Sequence, residues 1–542
     1  MDELLQTAHQ LHTQGKIPEA ITRYREILTK HPERDDVQIL YGFALVQSGN
    51  FSQALSTLES VPQQTKTADV YSAISSCHQQ LGNIQAAITA LQNALAIQER
   101  PELFDRLSRL FIQIGSYAQA RDLSTKCVAR YPEFLSAQLV LAVAYMHLDQ
   151  THLALGILEA IHSDSPVLSR ERDINLANAH RILGNDQNAL SILTHLLENK
   201  PDDDALHVNR GHILKKLGKH SDAQDAYQLA LKVNPHNRLA QWNLAQLTLG
   251  KFQWDQGWKL YQVGKSIGLR PQLNSTLTYW QGQPLHDIPL LLICEQGLGE
   301  EILFASCFAD VASLAPNTTV ACDPRLIPLF STSFPEFTFV SKNTTPTTLS
   351  KQTQLCLCGD LPAMFRQQLA DFPKRKAWLK PPQVDDQCQK LSPNTLNIGF
   401  SWQGGKNEEE RLFRSIPLPH WHALFGTGHN WISLQYDFDK VHSDAPENVT
   451  LPSIDVKNDI AALAHLINQL DVVITIDNSI AHLAAALGKP TWVLLPASAY
   501  WVWGEGSEAT PWYPSATLIR QNRPYAWSDV IKTVGDMLLK RS

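Results

Sequence analysis

The sequence lacks the cysteine pairs, the excess of basic residues and the metal-ligand spacings that mark several large classes of protein. Its eight cysteines form neither a Cys-x-x-Cys pair nor a regular framework, so we expect buried free thiols and no disulfides. Cys356 and Cys358 have no histidine or cysteine companions, and we predict no metal ion and no bound cofactor. With 46 lysines and arginines against 53 acidic residues, the net charge is -7. We therefore predict no nucleic-acid partner.

Long apolar runs are also missing. No stretch approaches the ~20 apolar residues that a membrane-spanning helix needs, and the first residues, MDELLQTAHQLHTQGK, lack the basic start and apolar centre of a secretion signal. We therefore expect a cytoplasmic protein with no membrane span. A chain of 542 residues with 44% hydrophobic residues predicts several globular domains, but no pattern in it predicts an oligomeric state.

The first half of the chain repeats itself every 32 to 35 residues. A glycine, or once an aspartate, recurs, and an alanine stands five positions after each of the first seven of these residues. This spacing resembles the tetratricopeptide repeat, in which the small alanine lets two antiparallel helices pack closely. We place about seven to eight repeats at 1–262 and predict a superhelix whose groove binds a protein or peptide. The recurring positions are Gly15, Gly49, Gly82, Gly115, Asp149, Gly184, Gly218 and Gly250.

The last unit departs from this pattern because three large aromatic residues, Trp254, Trp258 and Tyr261, follow Gly250. A terminal repeat must cap the stack, and we expect these rings to dock the repeats on the next domain. Residues 263–288 then form a predicted linker.

The second half alternates between short apolar runs and helical segments, which predicts α/β domains with parallel sheets. We place the first domain at 289–385 and the second at 395–542, on either side of a polar stretch with several prolines. The last helix, near 527–539, is expected to pack back across the first α/β domain. The predicted strands are 290–294, 319–322, 337–340 and 354–358 in the first domain, and 396–402, 431–434, 472–476 and 491–495 in the second.

A glycine-containing turn, QGLGEE, follows the first predicted strand of the α/β half. Gly297 and Gly299 allow the backbone to approach a ligand closely, and Glu300 could take a proton from an acceptor hydroxyl. The turn lacks the third glycine of a dinucleotide fingerprint, which argues against NAD. The alternative is that the acidic residues only stabilise the first turn of a helix.

The segment from Val472 to Pro496 is a strand, a helix and a second strand, which forms one βαβ unit. The turn Asp477-Asn478-Ser479 delivers the free N–H groups of the helix to the carboxyl end of the strand, where phosphates bind in parallel sheets. His482 would lie next to that first turn. The alternative is an ordinary capped helix with His482 as a satisfied surface residue.

Four further residues are candidates for the same site in the second α/β domain. Ser401 and Trp402 end a predicted strand, and Arg414 follows on a loop where its charge could neutralise a diphosphate without a metal. The alternative is a solvated loop, because residues 406–410 are all polar. Gln435 ends the next strand, where backbone groups could hold a base. Aromatic residues at Tyr500, Trp501 and Trp503 could form a wall by stacking, although such residues are more often core or interface residues.

The order of these motifs resembles that of a two-domain nucleotide-sugar glycosyltransferase of the GT-B fold, with two Rossmann-like domains. The nearest likeness is to bacterial heptosyltransferase-like proteins (glycosyltransferase family 9) fused to tetratricopeptide repeats. The resemblance implies a catalytic base after the GxG turn, usually aspartate and here Glu300, a metal-independent reaction with inversion, and a donor diphosphate site at the DNSxAH segment. The matching stretches are ICEQGLGEEILFAS, IGFSWQGG with RSIPL, WISLQY, ITIDNSIAHLAAALGKPTWVLLP and PWYPSATLIRQ.

The leading hypothesis is therefore a glycosyltransferase that moves a sugar from a nucleotide-sugar donor to a protein, peptide or glycan acceptor guided by the repeat groove. The alternative is a non-catalytic repeat adaptor with a degenerate GT-B module, for which glutamate in place of aspartate is the motive. The predicted catalytic residue is Glu300, and the predicted donor-binding residues are Gly297, Gly299, Ser401, Trp402, Arg414, Gln435, Asp477, Asn478, Ser479 and His482.

Overall fold

The computed structural model describes residues 2–273, 276–344, 349–384, 391–436 and 449–541. These residues divide into two compact units, Met1–Leu183 and Gly184–Ser542. The first unit is helical throughout, whereas the second contains further repeat helices and two parallel sheets. Within the described ranges no helix has the length and apolar character needed to cross a membrane.

The first unit consists of helices joined in pairs by short turns. Each turn holds one residue in the left-handed region, with φ of 76° at Gly15 and 57° at Asp149, where aspartate replaces the usual glycine. The alanines of the repeat, such as Ala20 and Ala87, are completely buried where the paired helices meet. The helices are α1 (Asp2–Thr13), α2 (Ile17–Lys30), α3 (Asp35–Gln47), α4 (Phe51–Glu59), α5 (Ala68–Gln80), α6 (Ile84–Ile97), α7 (Pro101–Gln113), α8 (Tyr117–Arg130), α9 (Leu135–His147), α10 (Thr151–Ala160) and α11 (Pro166–Ile182).

The second unit begins with the remaining repeat helices. They are α12 (Asp186–Asn199), α13 (Asp204–Lys216), α14 (His220–Val233), α15 (Arg238–Gly250) and α16 (Trp254–Tyr261). Gly250, the recurring position of the eighth unit, does not lie in the turn, because it is the last residue of α15. The left-handed turn residue is instead Phe252, with φ of 60°, which stands after α15 as Gly218 stands after α13. A phenylalanine with positive φ is strained, so tertiary packing must hold it there.

Aromatic packing supplies that restraint and joins the last repeat to the α/β domains. The ring of Phe252 lies against Gly504, where an added Cβ atom would be 2.3 Å from the Phe252 Cζ atom. The ring of Trp258 meets Trp501 edge to face at 5.3 Å. The predicted docking role of Trp254, Trp258 and Tyr261 is confirmed, since all three contact rings of the α/β half.

The first sheet has four parallel strands in the order β3-β2-β1-β4. The helical segment that follows the QGLGEE turn is interrupted by a 3-10 turn at Ala305–Cys307. The strands are β1 (Leu290–Ile293), β2 (Thr318–Cys322), β3 (Thr338–Ser341) and β4 (Gln354–Leu357), and the helices are α17 (Leu298–Phe304), α18 (Phe308–Leu314), α19 (Ile327–Ser333) and α20 (Leu361–Phe365).

The second sheet has six parallel strands in the order β10-β9-β8-β5-β6-β7. Two of these strands, β7 and β10, were not among the predicted ones. The strands are β5 (Asn397–Ser401), β6 (Asn430–Ser433), β7 (Val449–Thr450), β8 (Val472–Ile476), β9 (Thr491–Leu495) and β10 (Ala516–Arg520), and the helices are α21 (Glu408–Arg414), α22 (Leu418–Phe425), α23 (Ile460–Gln469), α24 (Ser479–Ala486) and α25 (Ser528–Leu539).

The last helix corrects one expectation. Trp527, directly before α25, and Val534 and Leu538 of the helix are buried in the core of their own domain together with Trp421 of α22, so among the described residues the apolar face of α25 packs there and not across the first α/β domain. Its apolar face matches that core, because the second sheet needs a helix on this side. The predicted fold class, helical repeats followed by two parallel-sheet α/β domains, is confirmed. The predicted domain boundaries stay predictions.

The cysteines match the expectation of buried free thiols within the described residues. All seven described cysteines are buried and unpaired, and Cys388 lies outside the described ranges. The sulfur atoms of Cys294 and Cys358 are 3.3 Å apart, at the ends of β1 and β4. Burial raises the pKa of both thiols, which keeps them protonated at neutral pH.

Candidate functional site

The second sheet changes direction of winding between β5 and β8, since strands β6 and β7 lie on one side and β9 and β10 on the other. Ligands of parallel sheets bind beyond the carboxyl ends of the strands at such a point. Ser401 is the last residue of β5, and Asp477 directly follows β8. The sequence motifs predicted for donor binding therefore meet at the place that the topology favours.

Asn478 and Ser401 form a buried hydrogen-bond cluster at this point. The Asn478 side-chain oxygen accepts hydrogen bonds from the backbone N–H groups of Ile480 and Ala481 and so caps α24. Its side-chain nitrogen donates to the Ser401 hydroxyl at 2.9 Å, and that hydroxyl lies 2.6 Å from the hydroxyl of Thr475. Asn478 and Ser401 therefore fix the turn from within, and their side chains are already occupied by protein groups.

Replacing Asn478 by alanine is expected to loosen the start of α24. The variant removes a helix cap and leaves the buried Ser401 hydroxyl with one partner fewer, which together cost about 1–3 kcal/mol. We expect faster hydrogen exchange at the amides of Ile480 and Ala481. Unchanged exchange at these two amides would show that the side chain of Asn478 does not hold the turn, and helix α22 provides an internal reference within the same domain.

Asp477 lies between an indole and a guanidinium group. Trp503 Nε1 donates to Asp477 Oδ1 at 2.8 Å, and Nη2 of Arg414 lies 3.8 Å from the same oxygen. Arg414 also donates to the Asp477 backbone carbonyl. The Nε atom of Arg414 is buried and has no hydrogen-bond partner among the described residues. Part of the Arg414 guanidinium thus holds the turn, and part of it remains without a partner.

Ser479 begins α24 and is half-buried. Because Asn478 already occupies the next two N–H groups, the backbone N–H of Ser479 is the donor of the first turn that the cap leaves open. None of the described residues forms a hydrogen bond with the Ser479 hydroxyl. A hydroxyl and a free N–H at a helix N-terminus are suited to a phosphate oxygen.

His482 is buried and contacts both α/β domains. Its Nδ1 atom lies 2.7 Å from the hydroxyl of Tyr513, and its ring faces Gly299 of α17, where an added Cβ atom would be 2.8 Å from His482 Cδ2. Burial lowers the pKa of His482, against the opposing effect of the carboxylates of Asp477 and Glu300. The imidazole is therefore neutral at pH 7. His482 joins α24 to α17 and is buried, so the alternative in which it is a surface residue is wrong.

The buried, neutral His482 predicts a loss of stability in acid. Its pKa is lower in the folded state, so the unfolded chain takes up the proton first, and stability falls as pH drops below about 6.5 by up to about 1.4 kcal/mol per pH unit. We expect the unfolding temperature of the His482→Gln variant to decline less between pH 6.5 and 5 than that of the wild type. Parallel declines would contradict the assignment of a buried neutral imidazole.

The two glutamates of the QGLGEE turn have different environments. Glu301 is completely buried, and it accepts hydrogen bonds from Lys342 Nζ at 2.5 Å and from the Asp323 backbone N–H at 2.9 Å. Burial raises its pKa despite these partners. Glu300 is half-buried, its carboxylate lies near Gly297, and no described residue forms a hydrogen bond or ion pair with it. Glu301 is therefore structural, whereas the Glu300 carboxylate has no hydrogen-bond or ion-pair partner among the described residues.

A buried ion-pair network holds the strand that precedes this turn. Arg270, from the predicted linker, is completely buried and contacts Glu295 at 2.5 Å and Asp360 at 2.9 Å, while Lys265 contacts Asp360 at 2.7 Å. The guanidinium also lies 4.7 Å from the centre of the Tyr261 ring. The network fixes the end of the repeat array against the carboxyl ends of β1 and β4. It positions the turn that bears Glu300.

Two predicted donor-binding side chains face the protein itself. The Gln435 side-chain oxygen accepts hydrogen bonds from the backbone N–H groups of Trp402 and Gln403, at 3.1 and 2.9 Å. The indole of Trp402 is buried and stacks on Phe400 in the core. Gln435 therefore shapes the loop after β5, and the Trp402 ring is not open to a ligand.

A cavity of about 420 Å³ opens beside Arg414 and Asp477. Part of its wall is Tyr500, and the remainder includes residues of α13 in the seventh repeat and of α21. The rings of Trp501 and Trp503 do not line this cavity. Trp501 packs against Trp258, and Trp503 packs against His482. Of the three aromatic residues considered for a stacking wall, Tyr500 alone borders this cavity.

The polar segment 406–410 is not only a solvated loop. It leads into α21, and Glu409 forms ion pairs with Lys216 at 3.4 Å and with His212 at 3.5 Å, both on repeat helix α13. These contacts were missed because the partners lie nearly 200 residues apart in the sequence. Tyr513 was missed as a partner of His482 as well, although the stretch PWYPSATLIRQ that contains it was already part of the resemblance.

A second cavity, of about 760 Å³, lies between α16 and α20. Its lining combines rings such as Trp258 and Tyr279 with the charged groups of Lys265 and Asp360. It borders the last repeat and the first α/β domain. Among the described residues, no three His, Cys, Asp or Glu side chains form a cluster that could hold a metal ion.

Comparisons with known proteins agree with this architecture. Models of the tetratricopeptide repeat match residues 11–77, 68–101 and 205–237. The model of glycosyltransferase family 9 (heptosyltransferase) matches residues 453–530, which include β8, α24 and Tyr513. The chain is 26% identical over 498 residues to Protein FlbA of Caulobacter vibrioides, and the match covers 84% of this chain and 82% of that protein.

Solved structures similar to the chain include repeat proteins. A tetratricopeptide repeat protein from Parabacteroides merdae is 18% identical and covers 46% of this chain and 98% of its own, with a TM-score of 0.39. A thermophilic TPR protein of Thermus thermophilus is 21% identical and covers 34% of this chain and 100% of its own, with a TM-score of 0.30. From the family matches, the chain carries tetratricopeptide repeats followed by a region of the glycosyltransferase family 9 type.

Proposed function

We propose that the protein is a metal-independent glycosyltransferase that takes its sugar from a nucleotide-sugar donor. The single observation that carries the proposal is the meeting of the family 9 region with the topological switch point. There the open donors of Ser479 and Arg414 lie at the carboxyl ends of β5 and β8. These donors suit the oxygens of a diphosphate, and the adjoining cavity of about 420 Å³ has the size of a small-molecule site.

In the proposed reaction Glu300 acts as the base. The acceptor hydroxyl attacks the anomeric carbon of the sugar, a new carbon–oxygen bond forms, and the bond between that carbon and the diphosphate oxygen breaks. Glu300 takes the hydroxyl proton, and the electron pair of the broken bond leaves on the diphosphate. The Arg414 guanidinium and the N–H of Ser479 stabilise the negative charge that develops there. The neutral imidazole of His482 packs Gly299 against α24 and so keeps the Glu300 turn beside the donor site.

The acceptor side of the proposal rests on the repeats. Tetratricopeptide repeats present surfaces for extended peptides, and a protein or peptide acceptor is therefore the favoured class. The cavity of about 760 Å³ borders both the last repeat helix and the first α/β domain, which supports an approach of the acceptor from that side. A glycan acceptor differs from this only in what receives the sugar.

A donor-turnover assay tests the proposal. The full chain is incubated with UDP-, GDP-, ADP- and CMP-sugars together with a bacterial extract as acceptor source, and released nucleotide is measured by chromatography. We expect one nucleotide to be released, and a matching mass shift on protein. A shift on glycan would change the acceptor class. No release from any donor, with the Glu300→Gln variant as the blank, would favour the non-catalytic adaptor.

A further inference from the structure

Lys215 is a basic residue of the repeats that lines the small cavity beside Arg414. Lys215 lies near the carboxyl end of α13, in the seventh repeat, and lines the cavity of about 420 Å³ together with Arg414 and Asp477. Two other basic residues of α13 that reach this cavity have carboxylate partners, because His212 and Lys216 both pair with Glu409. Among the described residues, none pairs with the Lys215 ammonium group.

Burial without a partner is costly for an ammonium group. The side chain of Lys215 is half-buried, and burial alone lowers its pKa to about 8. Lysine residues normally titrate near 10.4, so Lys215 is still mostly protonated at pH 7, and a negative ligand would raise its pKa again by pairing with the ammonium group. Arg414, which lines the same cavity, also has a buried donor without a hydrogen-bond partner among the described residues, its Nε atom.

Helix α13 is held firmly enough to place this lysine. Lys216 is 5% exposed, pairs with Asp186 at 3.3 Å, and lies 5.7 Å from the centre of the Tyr525 ring. Tyr525 in turn donates a hydrogen bond to Asp186 at 2.9 Å. The seventh repeat is thereby fastened to the second α/β domain on the side where Lys215 faces the cavity.

We propose that Lys215 is a direct ligand of the donor diphosphate, so that the seventh repeat forms part of the donor site. The inference rests on the proposed donor site and adds a binding residue from outside the α/β domains. The repeats then have a second task besides presenting an acceptor, because the donor cavity is incomplete without α13. Arg414 approaches the diphosphate from α21, and Lys215 approaches it from the repeat.

Calorimetric titration of the full chain tests the inference. Wild type, Lys215→Met, Lys215→Arg and the control Lys232→Met, which alters an exposed lysine of α14, are titrated with UDP, GDP, ADP, CMP and inorganic pyrophosphate. Loss of a hydrogen bond to a charged group predicts that Lys215→Met weakens binding about 10- to 100-fold. Lys215→Arg keeps most of the affinity, and the control matches wild type. Lys215→Met should unfold at or above the wild-type temperature, because it removes a partly buried ammonium group that has no partner, and the control should unfold at the wild-type temperature.

The outcomes separate the two proposals. Equal binding by wild type and Lys215→Met overturns the role of Lys215 and leaves the proposed donor site standing. No binding of any nucleotide or of pyrophosphate by wild type overturns both. Amine acylation at pH 8, followed by mass spectrometry, gives an independent result. We expect the bound nucleotide to protect Lys215 and not Lys232, and equal labelling of Lys215 with and without nucleotide would contradict direct contact.

Discussion

Replacing Glu300 by glutamine is expected to lower the rate of sugar transfer about 100- to 10,000-fold, the range that general-base catalysis contributes. Donor affinity should not change, because no described residue uses the Glu300 carboxylate as a hydrogen-bond or ion-pair partner. For the same reason the variant should unfold at the wild-type temperature. The measurement is the initial rate of nucleotide release with saturating donor, accompanied by calorimetric titration of the donor.

The matched control is Glu300→Asp, which keeps a carboxylate and introduces the residue that is usual in the resembling family. We expect it to retain far more activity than the amide variant, with a loss that reflects only the shorter reach. A Glu300→Gln enzyme with wild-type turnover would show that the base is another group. It would also remove the chemical reason for the QGLGEE turn lying beside α24.

Replacing Arg414 by methionine is expected to weaken donor binding and transfer together, with transfer reduced about 100- to 1,000-fold if Arg414 stabilises the leaving diphosphate. Arg414 borders the small cavity, and its Nε atom has no partner among the described residues. The aliphatic part of methionine replaces the arginine stem, so the change mainly removes charge and hydrogen bonds. Affinity for the nucleoside diphosphate and the rate of transfer are the two quantities to measure.

Arg411→Met is the matched control, because Arg411 belongs to the same helix α21 but does not line the cavity. It should leave donor affinity unchanged. Since Arg414 also holds the backbone carbonyl of Asp477, the unfolding temperature of both variants must be recorded. If Arg414→Met kept its stability and its donor affinity, the diphosphate would lie elsewhere in the domain.

The sequence was most informative where structure follows from local patterns. The spacing of glycine and alanine predicted the paired helices, and the apolar runs predicted eight of the strands because buried parallel strands are short and continuous. The glycine spacing did not identify the turn residue of the eighth repeat. A glycine at nearly the right spacing suggested the turn, whereas the structure uses Phe252, whose strained φ is held by packing on Gly504. That packing partner lies far along the chain and leaves no local trace.

Side-chain roles at the site were harder to predict for the same reason. The turn Asp477-Asn478-Ser479 lies between β8 and α24, as predicted. However, the side chains of Asn478, Ser401 and Gln435 form their hydrogen bonds with other groups of the protein. Whether an amide faces a ligand or a neighbouring strand depends on contacts between β5 and β8, which sequence spacing does not reveal. The difference between Glu301, which is paired, and Glu300, which is not, likewise depends on Lys342, which follows β3.

The most direct test of the donor site compares the calorimetric titration of wild type and of Ser479→Trp with UDP, GDP, ADP and CMP. The indole would fill the space at the start of α24, where the open N–H and hydroxyl of Ser479 lie, and unchanged exchange protection of α22 would show that the domain still folds. We expect wild type to bind one of these nucleotides selectively and Ser479→Trp not to bind it. Equal binding by both proteins, or binding by neither, would contradict a nucleotide-sugar site at this turn.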